Sequence, residues 1–189
     1  MNSPISDKTL VNNVLAGDLS QFNELVIRHK NYAFSLALKI VNNRLDAEEI
    51  AHDAFIKAYK SLNSFNQEAK FTTWLYRIVF NTAVSHTRKN KIIAEDISEI
   101  SVQPASSYNS SDALYNEERK EFVQVAMQKL MPLDATLITL FYMQQLNLEE
   151  IGKVVSLKST AVKVKLFRAR KRLARELETM LHHEVQAIL

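Results

Sequence analysis

From Ser6 to about Lys91 the apolar residues return every three or four positions, as at Phe22, Leu25 and Val26 and then Tyr32, Leu36 and Ile40. That is the period of helices that each bury one stripe. Asn42-Asn43 interrupts the run and predicts a break between helices. Asp46-Ala47-Glu48-Glu49 then predicts a helix opened by a capping box, with Ile50, Ala54 and Ala58 turned inward and Glu49, Asp53 and Lys57 along an outer face. The stretch reads as one all-α domain of about four helices. Between about Ile92 and Asp112 the periodicity stops in a serine-rich, acidic stretch with one proline, the signature of a linker. Helical spacing resumes at Ala113, and Pro132 separates two helices. Asn147, with Glu150 three residues on, predicts a second capping box. After the short segment Ser156 to Lys158, Ser159 is placed to cap a long last helix that runs to about Leu181. The predicted organisation is all-α: two small helical domains, 1–92 and 113–189, joined by a flexible linker at 93–112, the second ending in a helix-turn-helix.

Composition supports this reading and narrows the class. The chain has 189 residues, 47% hydrophobic and 24% charged, as in a globular protein, and only two glycines and three prolines, too few for a hairpin-rich fold. The net charge of +3 is unevenly spread: residues 1–90 carry +3, residues 91–157 carry −5 and residues 158–189 carry +5. A basic end points to a nucleic-acid contact there. No cysteine is present, which excludes disulfides and thiolate zinc sites and fits a reducing cytoplasm. The first ten residues have neither the basic nor the apolar block of a signal peptide, and stretches such as Tyr32 to Val41 are too short to span a bilayer. A soluble cytoplasmic protein without membrane insertion is expected.

On the last helix Val162, Leu166, Ala169, Leu173 and Leu177 form one stripe, the predicted core face. The remaining faces carry Lys163, Lys165, Arg168, Arg170, Lys171, Arg172 and Arg175, with no acidic residue between Lys158 and Arg175. A solvated basic helix is the plain alternative, but the preceding helix and short turn have helix-turn-helix spacing, in which the second helix enters the major groove. Thr160, Lys163, Val164 and Phe167 or Arg168 would then face bases, and Lys158, Arg170 and Lys171 would lie near phosphates.

The helix FTTWLYRIVFNTAVSHTRKNK buries Leu75, Ile78, Val79 and Thr82 or Ala83, which leaves Trp74, Arg77, Asn81, Ser85 and Arg88 on another side. An aromatic ring, an amide, a hydroxyl and guanidinium groups in line suit stacking on and hydrogen bonding to unpaired bases. Taken alone, the single tryptophan reads more readily as core.

The runs DAEEIAHDAFIKAYKSL, FTTWLYRIVFNTAVSHTRK and LEEIGKVV with STAVKVKLFRARKRL, in that order and separation, resemble the extracytoplasmic-function sigma factors of the sigma-70 family over nearly the whole chain. The resemblance implies a non-catalytic specificity subunit of RNA polymerase that reads minus-35 and minus-ten promoter elements and assists melting. It assigns Asp46 to Leu62 to the helix that grips the coiled coil of the polymerase's largest subunit, with Asp46, Glu49, His52, Asp53, Ile56 and Lys57 as contacts. It assigns Ser64, Phe65, Asn66, Lys70 and Phe71, with the Trp74 helix through Arg88 and Lys89, to the minus-ten element. Ser159 to Lys171 falls to the minus-35 element. Implied partners are core polymerase through its coiled coil and flap, promoter DNA, and an anti-sigma or other recruiting factor. The linker would thread the RNA exit path, where Glu95, Asp96 and Glu99 suit a basic channel. Several positions depart from the family pattern: His52-Asp53 where glutamine and glutamate are common, Gln145 where glycine is common, and Thr160 and Val164 where the reading helix usually has glycine and serine. Valine offers only an apolar contact, for example to a thymine methyl.

Other functions fit less well. Glu49-Ile-Ala-His52 is the unit used by di-iron bundles, but those need a second such unit and two further glutamates, so no metal is expected. Both glycines are isolated, so no phosphate-cradling loop forms; no cofactor and no enzymatic activity are expected. A helix-turn-helix repressor or activator would bind duplex promoter DNA without polymerase. A pure interaction module would use the basic helix on an acidic partner.

Overall fold

A computed structural model of the chain describes residues 5–96 and 122–188, with side chains over 5–90 and 122–182. Among these residues every regular element is helical. The first group comprises α1 (Asp7–Leu15), α2 (Ser20–Val41), α3 (Arg44–Lys60), a 3-10 turn at Leu62–Ser64, and α4 (Phe71–Asp96). The second comprises α5 (122–128), α6 (Pro132–Ile138), a π turn at Thr139–Met143, α7 (Leu148–Val155) and α8 (Ser159–Ile188).

Local chemistry sets most of the ends. Ser6, in extended conformation, accepts from Thr9 N and starts α1. Asn42 takes φ of 51° and closes α2, and Asn43 next to it opens α3 by accepting from Asp46 N at 3.1 Å. The α3 cap is therefore Asn43 and not Asp46, which lies inside the first turn. Pro132 sits in the first turn of α6, where its missing N–H costs nothing. The capping box read at Asn147 forms in full: Asn147 Oδ1 accepts from Glu150 N at 2.9 Å, and Glu150 Oε2 accepts from Asn147 N at 2.9 Å. Ser159 does not cap α8. It is the first helical residue, and the Lys158 carbonyl before it accepts from Val162 N. Two helices outrun the sequence reading, since α4 continues to Asp96 and α8 to Ile188. Residues 113–121 and Glu99 lie outside the described residues, as do the side chains of Glu95 and Asp96.

In the first group α2, α3 and α4 pack against one another. Ala47, Ala51, Ala54 and Ala58 of α3 are buried at spacings of four, three and four, with Ala33 and Ala37 of α2. Side chains this small let helix axes approach to the near end of the usual 8–10 Å range. Leu25, Leu36, Ile50, Leu75 and Val79 fill the remaining space. Helix α1 is tied on by Asp7, which accepts from His29 Nε2 at 2.8 Å and pairs with Arg28 at 3.3 Å. In the second group Leu137, Leu140, Ile151, Val154, Val162, Leu166 and Ala169 make the core of the helix-turn-helix. The two groups share one apolar core, with α4 against α7 and α2 against α6.

The turn between α7 and α8 is closed by Leu157 N donating to the Gly152 carbonyl at 2.9 Å, with Ser156 at φ of 57°. A Cβ built on Gly152 would stand 2.5 Å from the Leu157 carbonyl oxygen, which is backbone and has no room to yield. Gly152→Ala is expected to destabilise the chain by about 1–3 kcal/mol through overpacking, read as a lowered denaturation midpoint. An unchanged midpoint would mean that the turn is looser than the hydrogen bond implies.

Candidate nucleic-acid interface

The outer face of α8 is built as an amphipathic helix requires. At about 100° per residue, Thr160, Lys163, Val164, Phe167, Arg168 and Lys171 share a face turned away from the buried Val162, Leu166 and Ala169. All six are exposed, Val164 at 49% and Phe167 at 56%. Lys158 is exposed in the turn and Ser159 is half-buried. Lys171 Nζ lies 4.9 Å from the Phe167 ring centroid, so a cation and an aromatic edge are presented together.

Two basic residues of this helix serve the protein. Arg172 pairs with the buried Asp134 of α6. Arg170, read from sequence as a phosphate contact, lies over the rings of Phe141 and Tyr142 at 4.9 and 5.2 Å. Both flank the buried stripe, where a long side chain reaches a neighbouring helix as easily as solvent. The cationic face is thus not wholly unpaired, because the partner of Arg172 is 38 residues away in sequence.

On α4 the line read for unpaired bases divides. Arg77, Asn81, Ser85, Arg88 and Lys89 are exposed. Trp74 is half-buried, 5.0 Å from Phe65 and 5.8 Å from Phe71 between ring centroids. Phe65 and Phe71, assigned to the minus-ten surface from sequence, are core residues at 6% and 4% exposure. They form the floor beneath a loop whose exposed positions include Ser64, Asn66, Glu68 and Lys70. Ser64 Oγ donates to the Ser61 carbonyl and Asn66 Oδ1 accepts from Glu68 N, so the loop is braced by its own side chains. Beside it lies a depression of about 450 Å³ lined by Asp7, Lys8, Gln67, Ala69, Lys70 and Thr72 over the two phenylalanines. The part played by Asp7 and Lys8 was invisible in sequence, since nothing local links α1 to a loop some sixty residues on.

The third surface is on α3. Glu49, His52, Asp53 and Ile56 are exposed and Asp46 is half-exposed, on the side away from Ile50, Ala54 and Ala58. Among the described residues Glu49 and Asp53 form no ion pair, and Lys57 Nζ donates to Thr82 Oγ1 at 3.2 Å. Between α4 and α7, Lys70 Nζ pairs with Glu150 Oε1 at 2.9 Å. Burial alone would raise the Glu150 carboxyl, but donation from Asn147 N–H and the Lys70 ammonium hold it below the usual carboxylate range.

A capped helix-turn-helix with an outward basic helix, joined to a helical domain with a second basic and polar face, defines a DNA-reading protein of two modules. Residues 25–92 match the family described as Sigma-70 region 2, and residues 123–173 match Sigma-70, region 4. The ECF RNA polymerase sigma factor SigW of Bacillus subtilis is 31% identical over 182 residues, covering 92% of this chain and 97% of that protein. The ECF RNA polymerase sigma-E factor of Escherichia coli K12 is 31% identical over 196 residues, covering 96% and 99%. Among solved structures, the sigma factor RpoE of Bartonella quintana, in complex with the anti-sigma factor NepR, superposes with a TM-score of 0.71 at 19% identity, covering 83% of this chain and 96% of that one. CnrH, in complex with the cytosolic domain of CnrY, gives 0.66 at 21%, covering 93% and 99%. The chain belongs to the extracytoplasmic-function sigma factors, specificity subunits that direct promoter-specific transcription initiation by RNA polymerase.

Proposed function

We propose that three faces divide the work of this sigma factor. The outer face of α8 reads the minus-35 element: Lys163, Val164, Phe167 and Arg168 meet base edges, and Lys158, Thr160 and Lys171 meet phosphates or groove walls. The loop Ser64 to Lys70 and the exposed line Arg77, Asn81, Ser85, Arg88 and Lys89 hold the separated minus-ten strand. The Glu49–Ile56 face of α3 docks on the coiled coil of the largest polymerase subunit, and the second helical group reaches the flap. The observation that carries this reading is the outward, acid-free face of α8 behind a fully formed capping box. The solved sigma factor RpoE, bound to the anti-sigma factor NepR, supports regulation by a protein of that kind. The chain works in the cytoplasm with polymerase, without cofactor or catalysis of its own, and no described helix is long and apolar enough to cross a membrane.

Transcription of genomic DNA by the source bacterium's core polymerase with and without the chain, followed by start-site mapping, tests the reading. New start sites sharing two spaced elements are expected; an unchanged transcript set would defeat it. Docking has its own test. Asp53→Lys is expected to weaken association with core about tenfold or more through like-charge contact, while the circular-dichroism spectrum and melting temperature stay unchanged, because Asp53 is exposed. Equal co-purification of variant and wild type would move the docking surface off α3.

A further inference from the structure

The loop from Ser64 to Lys70 turns on a residue in an uncommon conformation. Gln67 has φ of 59°, in the left-handed region, where a side chain crowds the backbone and glycine settles most readily. Asparagine and aspartate offset that crowding with a short polar group that bonds nearby backbone; glutamine lacks it. A residue so placed stays there only where its surroundings hold it. Within the loop a single long bond spans the position, from Glu68 N to Asn66 Oδ1 at 3.3 Å. The side chain is held from much farther away. Gln67 Nε2 donates to Asn12 Oδ1 at 2.7 Å, from a helix 55 residues earlier in the chain. That helix, α1, is a firm anchor: Leu10, Val11 and Val14 are buried, Arg28 donates to the Ile5 carbonyl, and Asp7 is held by Arg28 and His29. Asparagine is a poor helix former, so its place inside α1 serves no purpose of the helix itself. Asn12 is exposed, and among the described residues its Nδ2 makes no bond; what it offers the loop is one acceptor oxygen. It also lies before the segment 25–92 that matches Sigma-70 region 2.

We propose that Asn12 is a positioning residue for minus-ten reading: through Gln67 it fixes the left-handed turn that presents Asn66, Glu68 and Lys70 to the separated strand. This rests on the assignment of the Ser64–Lys70 loop to the minus-ten element given above. Asn12 does not meet the strand; it acts through Gln67 alone. Its contribution is preorganisation, because a loop already in shape need not be ordered when the strand arrives. Loss of the Asn12 acceptor is therefore felt in opening and in base choice, and not in the charge contacts that bring duplex to the holoenzyme.

The test uses full-length Asn12→Ala, Asn12→Asp and Gln67→Ala, each free and as holoenzyme. Alanine is the better helix former, so Asn12→Ala should melt at the wild-type temperature or slightly above it. In the free chain its Glu68 amide should exchange about two- to tenfold faster, the worth of one hydrogen bond. On promoters that differ only in the minus-ten element, open complexes should form more slowly by a similar factor and the preference among sequences should flatten. The salt dependence of promoter binding should stay as in wild type, because no cation is lost. Asn12→Asp keeps the acceptor oxygen and should restore exchange, opening and preference together. Gln67→Ala should reproduce Asn12→Ala, and the double variant should be no worse than either single one. Additive losses in the double variant would mean that Asn12 works by a contact of its own, which overturns the positioning role. So would exchange and base preference that ignore Asn12→Ala, or an aspartate that does not rescue. Failure of the minus-ten assignment is separately visible through Asn66→Ala: if that variant also leaves base preference untouched, the loop does not read the strand, and the proposal falls with the assignment.

Discussion

Replacing Lys163 or Arg168 with alanine is expected to cost about 1–3 kcal/mol each in promoter binding by the holoenzyme, roughly five- to 150-fold, and to relax sequence preference in the minus-35 element. Both side chains are exposed on the face opposite the α8 core, and neither has an intramolecular acidic partner among the described residues. Lys171→Ala should differ in kind. Its ammonium lies over Phe167 on the same face, farther from the helix start than Lys163 and Arg168. It should weaken all sequences about equally and lower the salt slope by about one ion. Arg172→Ala separates charge from architecture. The residue pairs with buried Asp134, so its loss strands a carboxylate in the core and should lower the melting temperature with no change in base preference. If Lys163→Ala and Arg168→Ala leave the ranking of minus-35 sequences untouched, α8 does not read bases, whatever its charge.

Features confined to a few successive residues were legible in the sequence. The Asn147 box is one, because both of its bonds span three residues; the α8 stripe is another, because the helix period fixes it, though only Val162, Leu166 and Ala169 are buried and Leu173 and Leu177 are half-buried. The start of α3 was displaced for a physical reason: Arg44 and Leu45 are exposed, Leu45 at 75%, so the first turn contributes nothing to the apolar period and the pattern begins late. What the sequence hid depends on partners far along the chain. Phe65 and Phe71 look like stacking rings until α2 and α4 close over them, as the 5.7 Å approach of His29 to Phe71 illustrates. Arg172 looks like one more unpaired cation of the basic helix until α6 brings Asp134 to it. The Tyr76–Gln144 and Lys70–Glu150 contacts, 68 and 80 residues apart, leave no periodic trace at all.

Trp74 both packs on Phe65 and Phe71 and borders the loop, and substituting it is expected to have two separable effects. Its ring packs on Phe65 and Phe71 and is half-buried, so Trp74→Ala should destabilise the first helical group by about 2–4 kcal/mol, below the range for a fully buried tryptophan. The same truncation removes the aromatic surface next to the loop, where stacking of an extruded base is worth roughly 1–3 kcal/mol. Holoenzyme carrying Trp74→Ala should therefore bind the promoter and open it slowly, seen as lost permanganate reactivity of thymines near the start site. A pre-melted bubble template should restore much of the transcription, because the cost of unstacking has already been met. Trp74→Phe divides the two effects. It keeps an apolar ring against Phe65 and Phe71, so melting temperature should fall little, yet it offers a base less surface than indole and opening should remain slow. The outcome that removes Trp74 from the melting surface is specific: Trp74→Phe opens like wild type, and Trp74→Ala is as poor on the bubble as on the duplex. Trp74 would then be a pillar under the loop, and the work on the strand would fall to Arg77, Asn81 and Lys70.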